Sequence, residues 1–189
     1  MYNSFSFLLR DLFSFSCIYI LMFNNVIETY SEILERFRQA TGQRNAILAG
    51  GCLRDTFYGV EVKDLDFVVQ RYWPGAEMLR QMWPDKRFRY IARDFEYDVP
   101  NNPAGLLDVL ESEEKDINII IVQDIPRYTN QFPDSISQMV FDGEQVIVSD
   151  KWRAGELAGT VNYKWDIKTP RLMKLKTKYP NWEFIPEAW

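Results

Sequence analysis

The stretch from Ala49 to Val69, AGGCLRDTFYGVEVKDLDFVV, decides how this chain is read. A short apolar strand runs into Gly50-Gly51, followed by a short helix, a loop, and a strand carrying Asp64-Leu65-Asp66. Side chains two apart on a strand share a face, so Asp64 and Asp66 converge on one site. Paired carboxylates suit Mg²⁺, which takes oxygen ligands and commonly keeps substrate phosphates among them. Two such ions, roughly 4 Å apart, can activate an attacking hydroxyl and stabilise the leaving oxygen of an in-line displacement. Gly50-Gly51 lets backbone approach a phosphate, and the start of the following helix favours negative charge. Each part also has a plainer reading: Gly-Gly as a turn, Asp55 as a complement to the helix dipole, Asp-x-Asp as a solvated strand end. Those readings weaken when all the parts occur in this order.

Working outward, 26–39 (VIETYSEILERFRQ) places Ile27, Tyr30, Ile33, Leu34 and Phe37 at helical spacing, with Gly42 near the helix end. Asn45 to Leu48 reads as a strand, Leu53 to Tyr58 as a helix closed by Gly59, and Leu65 to Gln70 as a strand. Ala76 to Met82 reads as a helix and Arg87 to Ala92 as a further strand. Asn101, Asn102, Pro103 and the acidic cluster Glu111 to Asp116 frame a loop-rich insertion. Asp116 to Val122 (DINIIIV) is the most β-like segment. Gln138 to Phe141 and Gln145 to Val148 form a hairpin around Asp142-Gly143, and Thr169 to Tyr179 a final basic helix stopped by Pro180. The predicted fold is α+β: a small mixed sheet with helices packed on it and a short C-terminal helical extension, all in one domain over 24–189.

Composition narrows the chemistry. The chain has 189 residues and no histidine, which removes histidine nucleophile activation, metal ligation and acid–base work. With only Cys17 and Cys52, a cysteine zinc cluster is excluded. Catalysis then falls to carboxylates, Lys, Tyr, Ser, Thr or oxygen-bound metal. The net charge of -5 argues against broad coating of nucleic acid, although the tail beyond Lys151 is locally basic. Arg171, Lys174 and Lys178 share a helix face. They can meet phosphates of a nucleotide or RNA acceptor, or form a solvated basic face offsetting the acidic middle. The apolar run Leu12 to Phe23 follows Arg10, but it is too short to span a bilayer and lacks a small-residue cleavage site. We read 1–23 as a poorly packed leader, or Met22 as the start, and expect a cytoplasmic protein without stable membrane association.

GGCLRDTFYG-VEVKDLD resembles the signature of the polymerase-β nucleotidyltransferase superfamily. The nearest pattern is the Gly-Gly-x-x-Arg-Asp … Asp-x-Asp motif of bacterial-type tRNA nucleotidyltransferases and poly(A) polymerases. Gly50, Gly51, Arg54, Asp55, Gly59, Asp64 and Asp66 stand at matching positions. The resemblance implies that Asp64 and Asp66 bind Mg²⁺, and that Gly50, Gly51, Arg54 and Lys63 hold a nucleoside triphosphate. It also implies a third carboxylate on a later strand, for which Asp116 is the candidate and Asn118, on the same face, the fallback. DSISQMVFDGE is similar to a second family segment, with Ile136, Phe141 and Asp142 in step. The Arg-Asp that should precede it falls on Phe132-Pro133, with Asp134 displaced by one. The implied activity is transfer of a nucleoside monophosphate to a hydroxyl, on tRNA, another RNA or another acceptor. The alternative is an inactive nucleotide- or RNA-binding module acting on a partner protein. The chain looks like a catalytic head alone, of a size reminiscent of stand-alone proteins in phage genomes; a viral source would place it in the host cytoplasm.

Overall fold

The computed structural model of the chain describes residues 26–91 and 105–187. The apolar leader, the Met22 start and Asn101-Asn102-Pro103 lie outside them. After helix α1 (26–41) come β1 (Ile47–Ala49), α2 (Gly51–Phe57), β2 (Leu65–Gln70), α3 (Ala76–Met82), β3 (Phe88–Ile91), β4 (Leu106–Ser112) and β5 (Ile117–Val122). The chain continues through α4 (Ile125–Thr129), a 3-10 turn (Ser135–Ser137), β6 (Met139–Phe141), β7 (Val146–Val148), α5 (Asp150–Ala158), β8 (Thr160–Lys164), α6 (Thr169–Lys178) and β9 (Glu183–Glu187). The fold is α+β. Seven strands form a mixed sheet in the order β3-β4-β5-β2-β1-β6-β7, antiparallel except for β2 beside β5.

Alternation along β2 divides the core. Phe67 and Val69 point to the face covered by α1, α2 and α3, where Phe37 stacks on Phe67 with ring centroids 4.7 Å apart. Val68 points to the other face, with Val109, Ile120 and Val122, under Ile125 and Tyr128 of the short α4. Asp66 shares parity with Val68, so it emerges on this more thinly covered face. β5 is buried along its whole length, as expected of a central strand with both faces covered. Burying a side chain the size of Phe67 contributes ~1.5–3 kcal/mol.

Two regions depart from the sequence reading. The expected insertion loop contains β4, paired with β3 on one side and β5 on the other. Its polar positions hid it: Glu111 lies opposite Arg89 across the ladder and pairs with it at 2.7 Å, neutralising a charge that in sequence looks like part of an acidic loop. The C-terminal extension is helical but also contains β8 and β9, a two-stranded parallel sheet in which Pro186 is tolerated beside Tyr163. A third cluster, Ile136, Val161, Ile167, Leu175 and Tyr179, forms beneath it. The β6–β7 hairpin is present with its turn one place on. Asp142 Oδ1 accepts from the backbone N–H of Glu144 and Gln145, making Gly143 (φ +100°) and Glu144 the central pair. No helix among the described residues is long and apolar enough to cross a membrane.

Candidate functional site

β1 delivers Gly50 at the open end of the sheet, where its N–H donates to the Met139 carbonyl at 2.9 Å. Gly50 has φ +74° and ψ −122°, a backbone conformation that side chains rarely permit. A Cβ built there would stand 3.8 Å from Asp66 Oδ2, and one on Gly51 would stand 4.0 Å from Asp64 Oδ1. Both carboxylates therefore overhang the Gly-Gly turn. The structure brings together Gly50, Gly51, Asp64 and Asp66 around space that two methyl groups would narrow.

Asp66 is held from β5. The parallel pairing sets Asn118 opposite Asp66, and Asn118 Nδ2 donates to Asp66 Oδ1 at 2.9 Å. Asn118 is 6% exposed, and its own Oδ1 is buried without a hydrogen-bond partner. Burial, and then the neighbouring Asp64 carboxylate, push the Asp66 pKa up to about 6. Two carboxylates that repel each other beside an unpaired amide oxygen make a donor set of hard oxygens.

Asp116 goes elsewhere. It sits just before β5, in the tight β4–β5 turn, and its carboxylate accepts from Lys86 at 2.5 Å and Ser112 at 2.7 Å. Burial opposes its charge, yet Lys86 and Ser112 hold its pKa below the ordinary carboxylate value. Asn118, not Asp116, meets Asp66. Among the described residues no group of three or more acidic or cysteine side chains is arranged to hold a metal ion.

Arg54 lies beneath the turn, 6% exposed, with Nη2 3.5 Å from where a Gly51 Cβ would be. Its donors are consumed internally by Asp55 (2.7 Å), Ser137 (2.7 Å) and the Tyr179 hydroxyl (3.0 Å). Asp55, 3% exposed, also takes Lys178 and Tyr179 from the C-terminal segment. Burial works against the Asp55 charge, but Arg54, Lys178 and Tyr179 together hold its carboxyl below the usual range. Arg54 thus braces the Gly-Gly turn against α6. Lys63 is exposed beside Asp64.

The altered second motif also resolves into geometry. Phe132 packs on Gly50, with Cε2 3.5 Å from the position of a Gly50 Cβ, and meets Tyr128 edge-on at 5.4 Å. Asp134 is fully buried. It caps the 3-10 turn by accepting from the Ser137 N–H at 3.0 Å, and it pairs with Arg171 of α6 at 3.1 Å. An arginine–aspartate pair is present, built from two distant segments. Sequence reasoning missed Ser137 and Tyr179, which carry no local signal, and the structural roles of Asp55 and Lys178.

Two expectations follow. Gly50→Ala forces a side chain into a positive-φ conformation, costing ~1–3 kcal/mol, whereas Gly51→Ala, in an ordinary helical position, leaves the melting temperature near that of wild type. Thermal denaturation of the two variants checks this. In metal-free buffer, Asp66 has a folded pKa of about 6 against an ordinary 3.8, so the folded chain binds that proton more tightly. The associated stability is complete below the ordinary value and lost as pH rises through about 6. A Tm profile of wild type against Asp66→Asn should show that loss only in wild type.

No protein-family model and no curated protein matches the sequence. Among solved structures, the chain is similar to an apo form of a CCA-adding enzyme, with TM-score 0.42 and 14% identity. The match covers 74% of this chain and 32% of that protein, so the chain spans about a third of its length.

Proposed function

We propose that the protein is a Mg²⁺-dependent nucleotidyltransferase that moves a nucleoside monophosphate from a nucleoside triphosphate to a hydroxyl. The observation that carries this reading is the placement of Asp64 Oδ1 and Asp66 Oδ2 over the Cβ-free turn at Gly50-Gly51. Asp64 and Asp66 would hold the ion, and substrate phosphates and water would complete its oxygen shell. When bound, Mg²⁺ supplies charge neutralisation at the phosphorus under attack and at the departing pyrophosphate. Gly50-Gly51 admits the phosphates to close approach with the backbone. Asn118 fixes the Asp66 carboxylate so that Oδ2, free of that hydrogen bond, faces the turn. Lys63 adds positive charge at the rim. In the reaction the acceptor oxygen forms a bond to the α-phosphorus, the bond from that phosphorus to the α–β bridging oxygen breaks, the hydroxyl proton passes to solvent water and pyrophosphate leaves. The resemblance of the Gly-Gly to Asp-x-Asp segment to polymerase-β-type enzymes supports the same reading, and RNA 3′ ends are the acceptor class to test first.

A second reading is metal-dependent nucleotide binding without turnover. It is favoured by the engagement of Asp116 with Lys86 and Ser112, which leaves two carboxylates and one neutral amide at the site. One experiment separates the two. The protein is incubated with Mg²⁺, total RNA and each nucleoside triphosphate labelled at either the α or the γ phosphorus. Transferase activity moves α-label into a macromolecule and releases γ-label as pyrophosphate. Nucleotide binding with neither event supports the second reading.

A further inference from the structure

Helix α6 does more than close the small C-terminal core. Arg171, Lys174 and Lys178 stand three and four residues apart on it and share one face. The outer two are tied down, Lys178 to Asp55 and Arg171 to Asp134. The Tyr179 hydroxyl, bonded to both Arg54 and Asp55, adds a second tie to α2, the helix that continues from the Gly-Gly turn. Lys174, between these ties, has no ion-pair partner among the described residues. Its charged neighbours are Asp64, Lys178, Lys63 and Arg54. Lys174 is exposed; partial desolvation, then the neighbouring cations Lys178, Lys63 and Arg54, lower its pKa below the ordinary lysine value.

This arrangement has a consequence for ligand choice. Among the described residues, Arg54, Lys178 and Arg171 spend their charge on buried carboxylates, while Lys174 and Lys63 are exposed cations within the field of Asp64. An exposed lysine without a carboxylate of its own, on a helix tied to the one that starts at the Gly-Gly turn, suits an anion that approaches that turn. We propose that Lys174 binds the triphosphate tail of the nucleotide substrate, and that the Asp55 and Asp134 ion pairs exist to present it there. The proposal rests on the nucleotidyltransferase reading of the site. It assigns the C-terminal helix a part in substrate binding, with Arg54, Asp55 and Tyr179 as positioning residues.

The test is calorimetric titration of the full chain with inorganic tripolyphosphate, a non-hydrolysable nucleoside triphosphate analogue, a nucleoside monophosphate and a short single-stranded RNA. Lys174→Ala should weaken tripolyphosphate and the analogue by about tenfold or more, the loss expected for a charge-assisted phosphate contact. Binding of the monophosphate should change by less than about twofold. Lys174→Arg should restore most of the lost affinity. Lys174→Gln, which keeps most of the side-chain length, should behave as Lys174→Ala, so that a folding defect in the alanine variant does not decide the matter. Equal triphosphate binding by wild type and Lys174→Gln overturns the proposal and leaves the reading of the site intact. A loss confined to RNA also overturns it, moving Lys174 to the acceptor. Failure of wild type to bind any triphosphate overturns both.

Discussion

Replacing Asp64 and Asp66 together by asparagine should lower nucleotide transfer by about a thousandfold or more in a protein that still folds. Several kcal/mol of transition-state stabilisation come from metal held by such carboxylates, and each ~1.36 kcal/mol is tenfold in rate. Stability should move the other way. The two carboxylates overhang the same turn, and burial, then repulsion from the neighbouring Asp64 carboxylate, raise the Asp66 pKa to about 6. Neutral asparagines remove that repulsion, and Asn118 keeps an acceptor at position 66. In metal-free buffer near neutral pH the double variant should melt at or above the wild-type temperature. Loss of activity with retained or increased stability marks a site strained for function. Loss of both would mean that the carboxylates serve the fold.

Asp55→Ala should have the largest effect on folding. The substitution leaves Arg54 buried, and Lys178 largely buried, without their shared anion. Breaking a buried ion pair from one side costs ~3–5 kcal/mol, which for a chain of this size corresponds to a fall in Tm of about 10 °C. The sign with pH is opposite to that of Asp66. Asp55 has a depressed folded pKa, so its contribution is present above the ordinary carboxylate value and is lost as pH falls through the folded value. Wild type should therefore lose its advantage over Asp55→Ala on acidification. Thermal melts of both proteins across the acidic range give that difference directly. Because Lys178 and Tyr179 tie α6 to α2 through Asp55, the variant should also weaken triphosphate binding as Lys174→Ala does.

Much of this was legible before any coordinates. β2 and α3 occupy the expected residues, because the short β-branched and aromatic run in LDFVVQ and helical spacing in AEMLRQM are local signals. Spacing put Asp64 and Asp66 on one face; their place over Gly50-Gly51 is not set by spacing. β4 was not legible, because Asp108, Glu111 and Ser112 break its apolar pattern, and the partners of the first two, Trp73 and Arg89, lie elsewhere in sequence. β8 and β9 depend on a parallel pairing across α6 that no local pattern encodes. Strand parity put Asp116 and Asn118 on one face. It did not show that Asp116 falls before the first ladder pair, where Ser112 and Lys86 capture it, while Asn118 lies in register with Asp66. Arg54 matched a phosphate-site pattern, but its surroundings are set by Ser137 and Tyr179, far along the chain. Residues whose roles depend on a neighbour two turns away were readable, and those whose partners arrive from another segment were not.

The central claim is that Asp64 and Asp66 hold a divalent ion together with a nucleoside triphosphate over Gly50-Gly51. Electron paramagnetic resonance of Mn²⁺, titrated into the protein with and without a non-hydrolysable triphosphate analogue, tests it without reference to any acceptor. The account predicts that wild type binds Mn²⁺ tightly only in the presence of the analogue, and that Asp66→Asn abolishes this synergy while keeping its fold. Mn²⁺ binding that ignores both the analogue and the loss of Asp66 would contradict it.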